Sequence, residues 1–78
     1  MQLHEKIKAV RNFHGIKQKQ MADALNMTVQ SYSMKERGNR PITTNELELI
    51  SEVLNVSAVI FFEDDFNVKF NFDENKTA

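Results

Sequence analysis

Apolar residues recur along most of this chain at intervals of three and four, and near its end at intervals of two. Leu3, Ile7 and Val10 lie on one face of a first helix predicted over residues 3–13, which stops near Gly15. Met21, Ala22 and Leu25 share a face of a short second helix that begins at Gln18. Asn26 follows where the chain needs a left-handed residue to end it. Thr28 has the position and chemistry of an N-cap for a third helix that runs to about Arg37, and Gly38 closes it. Thr43 and Glu46 are spaced as a capping box, so Leu47, Ile50 and Leu54 belong to a fourth helix over 44–54. Ser57 is placed to cap a fifth helix of little more than one turn that buries Ile60 or Phe61. Beyond Phe62 the period changes: Phe66, Val68, Phe70 and Phe72 alternate with Asn67, Lys69, Asn71 and Asp73, which is strand spacing over 66–72. Glu63, Asp64 and Asp65 read as a solvated connection, and residues 75–78 are expected to fray.

Length and composition narrow what this pattern can build. Seventy-eight residues with 41% hydrophobic and 27% charged side chains suit one small globular domain and not a disordered or fibrous chain. With no cysteine, neither a disulfide nor a thiolate metal site can reinforce so small a core, which leaves helix packing or dimerisation. The first residues do not read as a signal peptide and no apolar run approaches the roughly 20 residues of a membrane span, so a cytoplasmic location is expected.

The formal net charge of −1 hides an asymmetry. Residues 1–45 carry eight bases against three acids, a net +5, whereas residues 46–78 carry two bases against eight acids, a net −6. The first part can face phosphate and the second cannot.

Residues 18–35 meet the steric demands of two helices joined by a tight turn at a steep angle. Ala22 is small where the helices must approach, Asn26 tolerates the left-handed turn, and Met21, Leu25, Met27 and Tyr32 supply a buried face. These positions resemble the helix-turn-helix of the Cro and lambdoid phage repressor family. The likeness extends to Arg11, Gln18, the run from Tyr32 to Gly38, Pro41, and Leu54-Asn55-Val56-Ser57, and covers about residues 3–62. It implies an all-α, five-helix DNA-binding domain over 1–62. Residues 63–78 would then follow as an acidic connection, a dimerisation strand (66–72) and a frayed tail.

In that family the first residue of the second helix, here Gln18, donates to a phosphate and helps orient the base-reading side chain. The resemblance gives Val29, Gln30, Ser31, Ser33 and Met34 the base-reading role in the major groove, and Arg37, Asn39 and Arg40 contacts to phosphates. It also implies a structural ion pair between Arg11 and Glu36. The chemistry agrees, since the amide of Gln30 can bond adenine at two points while Val29 and Met34 can touch a thymine methyl. Lys17, Lys19 and Lys35 are further candidates for phosphate contacts. Three departures stand out. Lys17 occupies the cap that the family gives to Thr, Ser or Asn. Lys35 stands at a usually apolar position, so its stem can pack while its ammonium reaches solvent or a phosphate. The base readers lack Arg and Lys, which favours an A·T-rich operator.

Other chemistries find little support. His4 and His14 have no carboxylate or cysteine at ligand spacing, so both are expected to be exposed and no metal is expected. Ser31 and Ser33 lack a neighbouring His base and there is no glycine-rich phosphate loop, which points away from an enzyme, a catalytic site or a cofactor. The acids from Glu63 to Glu74 lack the glycine and spacing of a calcium loop. The leading expectation is a homodimeric repressor on a near-palindromic double-stranded operator. Its alternatives are an antitoxin that binds a toxin or other protein partner and represses its own promoter, a restriction–modification controller, and an interaction module without DNA. Phe66, Val68, Phe70 and Phe72 would build the dimer by antiparallel pairing of strands, with a packed intramolecular tail or an edge held for a toxin as the competing readings.

Overall fold

In a computed structural model that describes residues 1–63, the chain forms four α-helices and a short 3-10 helix. The helices are α1 (Leu3–Phe13), α2 (Gln18–Ala24), α3 (Val29–Glu36) and α4 (Thr44–Leu54), and the 3-10 helix spans Ala58–Phe62. The expected fifth α-helix is thus a single tighter turn. Ser57 Oγ accepts from the Val59 N–H at 3.3 Å and Ser57 O accepts from Ile60 N at 3.2 Å, a three-residue closure that five residues can complete. Phe61, not Ile60, is the residue it buries. No strand occurs among the described residues, and the strand expected over 66–72 lies outside them. No described helix is long and apolar enough to cross a membrane.

The starts of the helices differ while their ends are alike. Thr28 and Thr43 cap α3 and α4 with their hydroxyls, accepting from Ser31 N at 3.0 Å and Glu46 N at 3.1 Å, and Glu46 completes the box by accepting from Thr43 N at 3.0 Å. Lys17 has no acceptor to offer α2, so only the return half is made: Gln20 Oε1 accepts from Lys17 N at 3.0 Å. Each of the four α-helices then ends in the same motif. A residue with positive φ (Gly15 at 70°, Asn26 at 59°, Gly38 at 84°, Asn55 at 57°) turns the chain. The next amide reaches back five residues, Ile16 to Arg11 O, Met27 to Ala22 O, Asn39 to Met34 O and Val56 to Ser51 O, at 2.8–3.1 Å. These closures satisfy carbonyls that would otherwise be stranded at each helix end.

Ile7 and Val10 of α1, Met21, Ala22 and Leu25 around α2, Tyr32 of α3, Leu47, Ile50 and Leu54 of α4, and Phe61 form one core. Each large side chain removed from water there contributes about 1.5–3 kcal/mol. One cation joins this interior against expectation. Lys6, counted among the eight bases of residues 1–45, is buried, and its ammonium donates to Phe61 O at 3.1 Å and Glu63 O at 3.0 Å. It ties α1 to the carbonyl end of the 3-10 helix, where a positive charge is favourable. His4 also departs from the sequence reading: it is half-buried, because its ring lies against the backbone of Gly38, whereas His14 is exposed and stands edge-on to Phe13 at 5.5 Å between ring centres.

Candidate nucleic-acid interface

The candidate interface is built around α3, and its geometry begins at the turn that precedes it. Asn26 sends the chain back across α2, Met27 N closes on Ala22 O at 3.0 Å, and Thr28 starts the next helix without a spare residue. Ala22 is fully buried at this crossing. The third helix is only eight residues long, and Val29, Ser31, Tyr32 and Ser33 are middling helix formers, so local propensity alone does not hold it.

Its inner face does. Tyr32 and Glu36 are 1% and 3% exposed, and the Glu36 carboxylate accepts four hydrogen bonds. Arg11 Nε donates to Oε2 at 2.7 Å and Arg11 Nη2 to Oε1 at 2.9 Å. The Tyr32 hydroxyl donates to Oε2 at 2.6 Å and Gln18 Nε2 to Oε1 at 2.9 Å. Arg11 Nη1 completes the set by donating to Ile16 O at 2.7 Å. The cluster therefore joins α1, the turn after it, the first residue of α2 and the last of α3. Burial alone would push the Glu36 carboxyl up, but the bonds from Arg11, Tyr32 and Gln18 outweigh it and hold the group below the ordinary carboxylate range. Hydrogen bonding to Glu36 raises the already high Arg11 value against the opposing effect of burial. Burial first, and the neighbouring carboxylate second, lift the Tyr32 phenol well above its usual value, so it remains a donor.

The outer face is open. Val29 is 38% exposed, Gln30 is exposed, and Ser31, Ser33 and Met34 complete that face. Arg37, which caps α3, is exposed, with its Nε 3.4 Å from Ser33 O, and the exposed Asn39 and Arg40 follow in the loop. Lys17 and Lys19 are exposed at the start of α2, although Lys19 shares its ammonium with Asp23 at 3.1 Å. Lys35 goes elsewhere: it donates to Pro41 O at 2.9 Å and pairs with Glu46 at 3.0 Å, so its charge meets an acid of α4 and not solvent. Burial pushes the Glu46 carboxyl up, while the Thr43 amide and Lys35 more than reverse that.

Electrostatic balance changes accordingly. Of the eight bases in residues 1–45, Lys6, Arg11 and Lys35 are bound into the fold, which leaves Lys8, Lys17, Lys19, Arg37 and Arg40 exposed against Glu5 and Asp23. The surface charge of this part is still positive, at +3.

Two short helices joined by a tight left-handed turn at Asn26, the second held from behind by the Glu36 cluster and open in front, have the arrangement of a helix-turn-helix. Residues 7–61 match the family described by that name. The chain belongs to the helix-turn-helix family. Two curated relatives are named as uncharacterised HTH-type transcriptional regulators, one from Sinorhizobium medicae (strain WSM419) and one from Rhizobium meliloti (strain 1021). Each is 32% identical over 59 residues, which is 76% of this chain and 42% of theirs, so the chain spans less than half the length of these relatives. No solved structure is a significant match.

Within this helix-turn-helix protein the sequence reading missed two members of the inner cluster. The hydroxyl of Tyr32 was visible as a donor, since Tyr32 stands four residues before Glu36 on the same helical face. Gln18 was assigned to a phosphate; in the structure one of its amide hydrogens is committed to Glu36, and the other remains for an outside acceptor. Phe66, Val68, Phe70 and Phe72 lie outside the described residues.

Proposed function

We propose that this helix-turn-helix protein is a sequence-specific regulator of transcription that inserts α3 into the major groove of double-stranded DNA. The observation that carries the reading is the division of α3 into an inner face locked by the Glu36 cluster and an outer face with Gln30 and Val29 exposed. Fixing a reader from behind matters because a base contact discriminates only if its donor cannot shift to suit the wrong base. Gln30, Val29, Ser31, Ser33 and Met34 read bases, and Gln18, Lys17, Lys19, Arg37, Asn39 and Arg40 hold phosphates, which fix register but carry no sequence information. Lys35 is left out of that set, since its ammonium is paired with Glu46. The protein acts as a homodimeric repressor, with two copies of α3 about 34 Å apart on one face of a near-palindromic operator.

Gel-shift titration on cognate and scrambled duplexes tests this. Gln30→Ala weakens the cognate complex by roughly 1–3 kcal/mol and relaxes preference at one base pair per half-site. Arg40→Ala instead weakens all sequences alike and lowers the slope of log K against log salt by about one for each phosphate no longer neutralised. If Gln30→Ala left both affinity and discrimination unchanged, α3 would not lie in the groove as proposed.

A further inference from the structure

We propose that His4 is a positioning residue for the DNA-facing loop at 37–40, acting through Gly38. This rests on the reading of that loop as a phosphate contact. Gly38 turns the chain out of α3 at φ 84°, with Gly38 N bonded to Lys35 O at 3.1 Å and Asn39 N to Met34 O at 2.8 Å. Those bonds, with Lys35 Nζ donating to Pro41 O at 2.9 Å, tie the loop to α3, and His4 adds a contact from α1. A methyl group added to Gly38 would stand 2.7 Å from His4 Nε2, 2.8 Å from Cε1 and 3.1 Å from Cδ2, so the imidazole fills the space beside Gly38 and a Cβ there would have to push the ring aside. His4 also lines two hollows next to the loop, one shared with Arg40 and Pro41 and the other with Lys8, Arg37 and Asn39.

Gly15 shows that this contact is particular to the third helix. It closes α1 with the same motif and a similar positive φ, yet a Cβ there would meet nothing within 4 Å. At Gly15 the backbone angle alone asks for glycine, and asparagine, which serves at positions 26 and 55, could replace it. At Gly38 the first turn of α1 imposes a second demand. Through it, α1 sets where Arg37, Asn39 and Arg40 stand relative to the outer face of α3.

The experiment measures affinity and its salt slope by fluorescence anisotropy on an operator duplex, well below each variant's Tm, with Arg40→Ala as the reference. His4→Ala is expected to lose roughly 3- to 10-fold in affinity, in proportion to a displaced phosphate contact, with a shallower salt slope, and His4→Phe, which restores a flat ring, to regain most of it. Gly38→Ala is expected to cost more than His4→Ala, and its added penalty to shrink in a His4→Ala background, where strain in φ remains but the clash is gone. A Tm change alone would not move the salt slope. If Arg40→Ala weakened binding while His4→Ala kept both affinity and slope, the positioning role would be overturned and the loop's phosphate role would stand. If Arg37→Ala and Arg40→Ala were also without effect, both would fall together.

Discussion

The two faces of α3 divide a buried, fully bonded side from an open one. On the inner face Tyr32 and Glu36 are almost wholly buried and every oxygen of the carboxylate is bonded; on the outer face Val29 and Gln30 stand in solvent. A helix of eight residues with indifferent propensity cannot be rigid on its own account, so its rigidity is borrowed from α1 and α2 through Arg11 and Gln18. The lesson is that the outer face is free to change sequence without endangering the fold. Substitutions on the inner face alter stability first and binding only as a consequence.

The largest expected effect comes from removing the cation. Arg11→Met leaves Glu36 charged and buried with two donors in place of four, and loss of one partner of a buried pair costs about 3–5 kcal/mol. For a domain this small that approaches the whole stability, so urea denaturation should show a variant close to unfolded at about 25 °C. The double variant Arg11→Met/Glu36→Leu should recover much of the loss, because no charge is then stranded. A single variant as stable as the parent would show that the inner face does not carry the fold.

Tyr32→Phe makes a smaller break in the same face, removing one donor to a charged acceptor at a cost of roughly 1.5–3 kcal/mol. Acid approaches it from the other side. Because the folded Glu36 carboxyl lies below its ordinary value, its stabilisation is complete above the unfolded value of about 4.3 and is lost as pH falls from there through the folded value. Glu46 shifts in the same direction and adds to the same window. The urea midpoint should therefore fall steadily below about pH 4–5, and Glu36→Gln should flatten that decline more than Glu46→Gln does. Equal curves for Glu36→Gln and the parent would show that Glu36 has no part in acid stability.

What the sequence made legible was local. The spans of α1 and α4, the cap at Thr43, the box with Glu46 and the left-handed turn at Asn26 follow from periodicity and from residues a few positions apart. The pairing of Arg11 with Glu36 came instead through the family resemblance, since no spacing rule links residues 25 apart. Contacts made by tertiary packing alone were not legible. Lys6 meets Phe61 O across 55 positions, Lys35 turns to Glu46, and His4 fits Gly38, and no local spacing rule links any of these partners. The five-residue 3-10 helix fell between them, because a short apolar run after a Ser cap suits either kind of turn.

The smallest effect sharpens the comparison on the exposed side. Lys19 and Asp23 form an ion pair one turn apart on α2 with side chains 71% and 63% exposed, so the pair adds only a few tenths of a kcal/mol to stability. Its influence on binding has a different origin. If the N-terminal end of α2 faces a phosphate, Asp23 opposes it twice, by repelling the anion directly and by holding the ammonium that would meet it. Asp23→Asn removes both effects and leaves the core untouched, so Tm should stay within a degree or two while affinity rises a few-fold, with the gain fading at high salt as the charges are screened. The same substitution in a Lys19→Ala background should give only the direct part of that gain. An affinity unchanged by Asp23→Asn at low salt would mean that the start of α2 stands farther from the DNA backbone than the placement of α3 requires.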